Sequence, residues 1–219
     1  MLVHDWMTAH PTTTTPETRI SAVAAMMLRS SIRHLPVVRP NAEGLVLVGI
    51  VSSYDVARAY PPQLNPWSLS GLPVDLDHPV SEIMTKHPVT VEATTPIERA
   101  AGEMAMRRIH ALPVVRAQHV VGILTEADVT RAFVAILGPR EKGVRITFVC
   151  GEREDLFGTV LALAAKHQAE VTSLLTVRHE GRRLALVHVS GPRSGAFLDA
   201  VWKSGHRVES VVHDDPLAA

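Results

Sequence analysis

The chain has 219 residues, 46% of them apolar and 20% charged, a globular composition that excludes disordered and fibrous classes. Its 22 basic and 22 acidic side chains cancel, 13 of each before Gly143 and nine of each from it onward, so no basic surface is advertised and no nucleic-acid partner is expected. At roughly 150 residues per domain this is about one and a half domains, so two compact units are expected, with a core that needs no disulfide or metal. The single cysteine, Cys150, excludes an internal disulfide and any multi-cysteine zinc site, which fits a reducing compartment; a cytoplasmic location is the expectation. The longest apolar stretch, Leu156 to Ala165 but for Thr159, is too short to span a bilayer, and Met1–Asp5 lacks a leader pattern, so neither membrane nor secretion is expected.

In chain order, the first two thirds repeat themselves. A shift of 77 lays Met7-Thr8 on Met84-Thr85, His10-Pro11 on His87-Pro88, Met27 on Met104 and Leu35-Pro36-Val37-Val38-Arg39 on Leu112-Pro113-Val114-Val115-Arg116. Four extra residues around Pro40–Gly44 follow in the first copy, a turn-rich string. The match then resumes at a shift of 73, with Val48-Gly49-Ile50 on Val121-Gly122-Ile123, Asp55-Val56 on Asp128-Val129 and Arg58-Ala59 on Arg131-Ala132. Each copy reads as a short extended piece after His-Pro, an amphipathic helix, two strands and a short helix, the order β-α-β-β-α.

In the second copy Thr95-Pro96-Ile97-Glu98 is a helix start, with Thr95 as N-cap, Pro96 at the first helical position and Glu98 closing a capping box. The helix then presents Ile97, Ala100, Ala101, Met104 and Ala105 at a 3.6-residue period, while Leu112–Val115 and Val120–Leu124 suit buried strands. Between the copies, the proline-rich stretch from Tyr60 to Pro79 reads as a linker or wrapped loop. From Gly143 the pattern changes. Val144–Phe148 alternates as a strand, Leu156–His167 is helix-like and Glu170–Arg178 strand-like. His179–Arg182 is a turn, Leu184–Val189 a strand, Ala196–Lys203 a helix and His206–Val212 a closing strand. That is the ferredoxin-like order βαββαβ.

The densest feature is Gly49-Ile50-Val51-Ser52-Ser53-Tyr54-Asp55 with its partner Gly122-Ile123-Leu124-Thr125-Glu126-Ala127-Asp128, each ending a buried strand and opening a helix. Glycine there allows close backbone approach, and a hydroxyl with unpaired amides at a helix start suits an anionic oxygen. The carboxylate three residues on can accept both hydroxyls of a ribose, and Arg58 and Arg131, one turn further, can pair with phosphate. The same strings satisfy the capping-box pattern, in which hydroxyl and carboxylate serve only backbone amides. Both readings stand at this point, and the doubling in register favours a ligand.

Other chemistry is poorly supported. The twelve histidines show no H-x-x-x-H with a nearby acid, so no metal site is expected. A serine nucleophile elbow, a P-loop and G-x-G-x-x-G are missing. Cys150, at the end of a strand, reads as a small buried hydrophobe, and Met26, Met27, Met104 and Met106 read as packing on or beside helix core faces. No catalysis is expected.

The two copies resemble the cystathionine-β-synthase (CBS) motif, whose tandem pair forms a Bateman module that binds adenine nucleotides or related adenosyl ligands. The resemblance covers about residues 3 to 137 and rests on the doubled Gly-h-h-[Ser/Thr]-x-x-Asp after Leu-Pro-Val-Val. It implies a first CBS motif over 1–60, a linker over 61–79 and a second motif over 80–138. It implies that Asp55 and Asp128 take ribose hydroxyls, that Ser52 and Thr125 approach phosphate, and that Thr12-Thr13 and Val89-Thr90 frame adenine. Arg33, His34 and His110 fall near the ligand. Because His34 aligns with Ala111 and His110 with Arg33, the two sites are expected to differ.

The region 143–213 resembles an ACT domain through its order and Asp155–Val160, with Phe157-Gly158 where that family often has Pro-Gly. CBS motifs followed by an ACT domain are the arrangement of AcuB-like acetoin-utilisation proteins. The fold class expected is α/β (α+β), a tandem CBS pair plus an ACT-type domain. The function expected is a non-catalytic sensor of AMP, ADP, ATP or a related adenosyl ligand, with no required cofactor, working as a homodimer on a regulated enzyme, with an amino-acid effector at the ACT-like part. The alternative is a structural adaptor that dimerises and docks a partner enzyme without sensing nucleotide.

Overall fold

Helix formation in the repeat follows the apolar period, and the computed structural model, which describes residues 1–59, 78–137, 142–151 and 154–214, shows it twice. Helix α1 spans Ile20–Ser30 and buries Ile20, Val23, Ala24 and Met27; its counterpart α3 spans Ile97–Arg107 and buries Ile97, Ala100 and Met104. Both end the same way. Ser31 (φ 52°) and Arg108 (φ 56°) adopt the left-handed conformation, and Ile32 and Ile109 then donate back to the carbonyls of Met27 and Met104. Two expectations for α3 fail. Pro96, not Thr95, holds the N-cap position, and the Thr95 hydroxyl accepts from the Glu92 N–H at 3.2 Å, so it closes the preceding turn instead of capping the helix. Ala105 is exposed, and Met106, 73% exposed, lies off the core face.

Each copy contributes an antiparallel hairpin, β2 (His34–Asn41) with β3 (Gly44–Ser52), and β6 (Ala111–Arg116) with β7 (His119–Thr125). A helix closes each copy: α2, seven residues over Ser53–Ala59, is short as expected, but α4, twelve residues over Glu126–Leu137, is longer than the expected short helix. The short strands are β1 (Thr8–Ala9), β4 (Thr85–Lys86) and β5 (Val91–Glu92), so extended pieces lie on both sides of each His-Pro, not only after it. The central path of the sheet is β2-β3-β7-β6-β5, with β1 on β7 and β4 on β3. The copies are therefore joined side by side through β3 and β7.

The leading segments are exchanged. Strand β1 of the first copy pairs with the second copy's β7, Thr8 facing Ile123, while β4 of the second copy pairs with β3, Thr85 facing Ile50. Just before each, a single 3-10 turn docks the same way. Val3 donates to Thr95 O and His4 to Ala93 O in the second copy, and Val80 donates to Thr18 O and Ser81 to Pro16 O in the first. Val80, wholly buried, completes the core of Ile20, Val23, Ala24, Met27, Leu35, Val37, Val51 and Val56. Burying such a side chain stabilises by about 1.5–3 kcal/mol, so each copy supplies part of the other's core.

The chain divides into two units, Met1–Arg131 and Ala132–Ala219. In the second, β8 (Gly143–Val149), α5 (Leu156–His167), β9 (Glu170–His179), β10 (Arg182–Ser190), α6 (Ser194–Lys203) and β11 (Val208–Asp214) follow the expected βαββαβ order. The sheet is antiparallel in the order β11-β8-β10-β9. Alternate residues Val144, Ile146, Phe148 and Ala185, Val187, Val189 point to one face, where Leu156, Val160, Ala164, Phe197 and Val201 cover them. Asp155 caps α5 by accepting from Gly158 N–H at 3.0 Å, and Glu180-Gly181, both at positive φ, make the hairpin turn. Residues 61–77 of the expected linker lie outside the described residues. No described helix is long and apolar enough to cross a membrane.

Candidate functional site

The first Ser/Thr-x-x-Asp string forms a full capping box and the second forms its carboxylate half. In the first copy Asp55 Oδ2 accepts from Ser52 N–H at 2.8 Å and from the Ser52 hydroxyl at 2.7 Å, and the Asp55 N–H donates back to Ser52 Oγ at 3.2 Å. In the second, Asp128 Oδ2 accepts from Thr125 N–H and from the Thr125 hydroxyl, both at 2.7 Å. The bland bonds are thus present, but in each box they occupy one carboxylate oxygen and leave the other to be assigned.

The second oxygens differ. Asp55 is half-buried and its Oδ1 has no donor among the described residues. Arg58 sits over the Tyr54 ring instead, 5.7 Å from its centroid. Asp128 is 4% exposed, and its Oδ1 pairs with Arg131, which also donates to the Trp6 carbonyl at 3.3 Å.

The two glycines make room for side chains of the other copy. A Cβ on Gly49 would meet Met84 Sδ at 2.6 Å, and one on Gly122 would strike Met7 Sδ. Those methionines belong to the exchanged segments, so the close approach that glycine permits is to the other copy's side chain.

Around Asp55 the copies meet in a charged cluster. His34 faces Ser52 across the hairpin, Ser53 N–H donates to Arg33 O at 2.8 Å, and Glu126 N–H donates to His110 O at 3.2 Å. His110 Nδ1 pairs with Glu126 at 2.8 Å. Burial, then the charges of His110 and Arg33, hold His34 below its ordinary value of 6.5, against the opposite pull of Asp55 and Glu126. Arg33, His34 and His110 of the expected set are therefore brought together with Asp55.

The segments expected to frame adenine each cross between copies. Thr12 and Thr13 lie between β1, on the second copy's β7, and Thr14, which bridges Val37 of β2; Val89 and Thr90 lie between β4, on β3, and β5, parallel to β6. Thr12 and Thr90 are exposed, and Thr13 and Val89 half-buried. Beside them Thr14 is 5% exposed, its hydroxyl without a hydrogen-bond partner among the described residues.

The sequence reading missed Glu126, Tyr54, Trp6 and Thr14. Glu126, Tyr54 and Thr14 sit where the copies fail to match, opposite Ser53, Ala127 and Val91, and that mismatch was the available signal; Trp6 acts through its backbone carbonyl, which no side-chain pattern marks. Elsewhere, Cys150 is partly buried and burial pushes its thiol up, so it is no ready nucleophile. No group of three or more His, Cys, Asp or Glu among the described residues is arranged to hold a metal.

The CBS domain family matches residues 3–62 and 80–135, together more than half of the chain. The chain belongs to the CBS domain family. It is 37% identical over 126 residues to the homoserine O-acetyltransferase of Methanocorpusculum labreanum, a match that covers 57% of this chain and 23% of that protein. The chain thus spans about a quarter of that relative's length. The CBS pair of protein MJ0100, solved with 5′-methylthioadenosine and S-adenosyl-L-methionine, is 31% identical with a TM-score of 0.50, over 61% of this chain and 96% of that one. A Vibrio cholerae protein described as an acetoin utilization protein (AcuB) is 28% identical with a TM-score of 0.53, over 63% and 94%.

Proposed function

We propose that this chain is a non-catalytic regulatory module whose CBS pair binds an adenosyl ligand and transmits its presence to the C-terminal βαββαβ unit, which we read as ACT-like. The observation that carries the reading is the likeness of the pair to the MJ0100 pair, which was solved with two adenosyl compounds. The local chemistry supports it. Paired carboxylates at matched positions suit ribose hydroxyls, Arg33 supplies positive charge for a phosphate or a sulfonium ligand's carboxylate, and the rings of His34 and His110 offer N–H donors beside it. AMP, ADP and ATP remain candidates beside the methylthio and sulfonium compounds. Regulation requires the ligand to bind one arrangement of the chain more tightly than another.

The test is a melting series of the full chain with AMP, ATP, 5′-methylthioadenosine and S-adenosyl-L-methionine. A ligand bound only by the native state at roughly 100 times its Kd adds about 2.7 kcal/mol. That corresponds to a rise of several degrees. Unchanged melting across all four compounds at millimolar concentration overturns the reading and favours the adaptor.

One observation favours an adaptor role alongside sensing. Phe133 (57% exposed), Val134 and Ile136 leave an apolar stretch of α4 uncovered. We propose that it serves self-association into a homodimer; sedimentation as a monomer across the micromolar range overturns that.

A further inference from the structure

We infer that the chain holds one adenosyl ligand, on the Asp55 carboxylate, and that Arg131 keeps the Asp128 copy closed. This rests on the ribose role proposed above and concerns which of two matched positions performs it. A ribose diol is best received by a carboxylate whose charge is not already neutralised and which has an oxygen to spare. Asp55 meets both conditions: Oδ2 serves Ser52, Oδ1 takes no donor among the described residues, and the side chain is only half-buried. Asp128 meets neither. Its side chain is 6% exposed, Thr125 fills Oδ2, and the Arg131 guanidinium fills Oδ1.

The cause lies in one unmatched pair of the repeat, Tyr54 and Ala127, and in a bond to the exchanged N-terminal segment. Arg58 and Arg131 are counterparts, each three residues after its aspartate, and each could turn back onto it. Arg58 is drawn away by the Tyr54 ring, 5.7 Å from its centroid. Ala127 stands opposite Tyr54 and offers Arg131 no ring. Arg131 folds onto Asp128 and is held there by a second bond to the Trp6 carbonyl, at 3.3 Å, from the exchanged N-terminal segment. A ligand reaching Asp128 must first separate a partly buried ion pair, which the Asp55 position does not demand.

The experiment is isothermal titration of the full chain with AMP and with 5′-methylthioadenosine, on wild type, Asp55→Asn, Asp128→Asn and Arg131→Gln. Ligand-free melting of each variant separates loss of fold from loss of binding. The expected result is one site per chain in wild type, an affinity loss of roughly tenfold or more in folded Asp55→Asn, and a change within about twofold in Asp128→Asn. Arg131→Gln, whose substituted side chain is exposed, is expected to add a second binding event. Two equal sites in wild type, a loss in folded Asp128→Asn as large as in Asp55→Asn, or a single event in Arg131→Gln overturns the inference while leaving the adenosyl reading intact. Binding of neither compound to any of the four proteins overturns the adenosyl reading itself, and the inference with it.

Discussion

Gly49→Ala tests the exchange of leading segments directly, because the new methyl group would point into the other copy's segment. It would lie 2.6 Å from Met84 Sδ and 3.0 Å from the Thr85 carbonyl oxygen. The sulfur can retreat along a flexible side chain, but the carbonyl belongs to β4, whose Thr85 pairs with Ile50, and cannot withdraw without loosening that ladder. Overpacking of this kind costs about 1–3 kcal/mol. Alanine restricts the unfolded chain more than glycine and returns about 0.4–1 kcal/mol of that. A net loss near 1–2 kcal/mol, at ~2–4 °C per kcal/mol, lowers the melting temperature by roughly 2–8 °C. The assay is a thermal melt followed by calorimetry, on Gly49→Ala, Met84→Ala and the double variant. Truncating Met84 removes the sulfur from the path of the methyl group, so the double variant is expected to lose less than the sum of the singles, by roughly 0.5–3 kcal/mol. Additive losses, or Gly49→Ala melting at or above wild type, would refute the seating of residues 78–86 on the first copy's hairpin.

Thr14→Val replaces an unpartnered buried hydroxyl with the shape that Val91 supplies at the matched position of the second copy. It is expected to raise stability by up to about 1–3 kcal/mol, and a lower melting temperature would show that the hydroxyl is satisfied after all. His34 is held below 6.5, so the unfolded chain takes up its proton first as pH falls. Stability should therefore decline as pH drops through about 6.5 toward the lowered folded value, and His34→Asn should flatten the dependence of melting temperature on pH on the acid side of neutrality. An unchanged slope in the variant would assign the pH dependence elsewhere. Asp155→Ala removes the cap on Gly158 N–H and should cost about 0.5–2 kcal/mol in the C-terminal unit, while Asp155→Ser keeps most of it. Equal melting of both variants would remove Asp155 from the account of that unit.

The repeat, the helix faces and the βαββαβ order were legible in the chain because they rest on local signals: apolar period, turn residues and matched strings. Ile20, Val23 and Met27 show their face by spacing alone, and so do Val144, Ile146 and Phe148. The pairing of Asp55 with Ser52 was equally local, since three residues of a helix start bring them together wherever the helix goes. What the sequence left open was every matter settled between distant segments. A β-strand of two residues such as Thr8–Ala9 carries no mark of its partner, and only the folded sheet sends it to the second copy's β7. The same exchange gives Gly49 and Gly122 their reason, because the atoms they make room for lie in segments 35 and 115 positions away in sequence. It also separates two aspartates that read identically. Arg131 finds the Trp6 carbonyl only because the N-terminal segment is docked there, whereas Arg58 finds a tyrosine on its own helix. Short-range chemistry was written in the motif, down to the Tyr54 that draws Arg58 aside, whereas the Trp6 carbonyl that holds Arg131 on Asp128 is a tertiary neighbour that no local string contains.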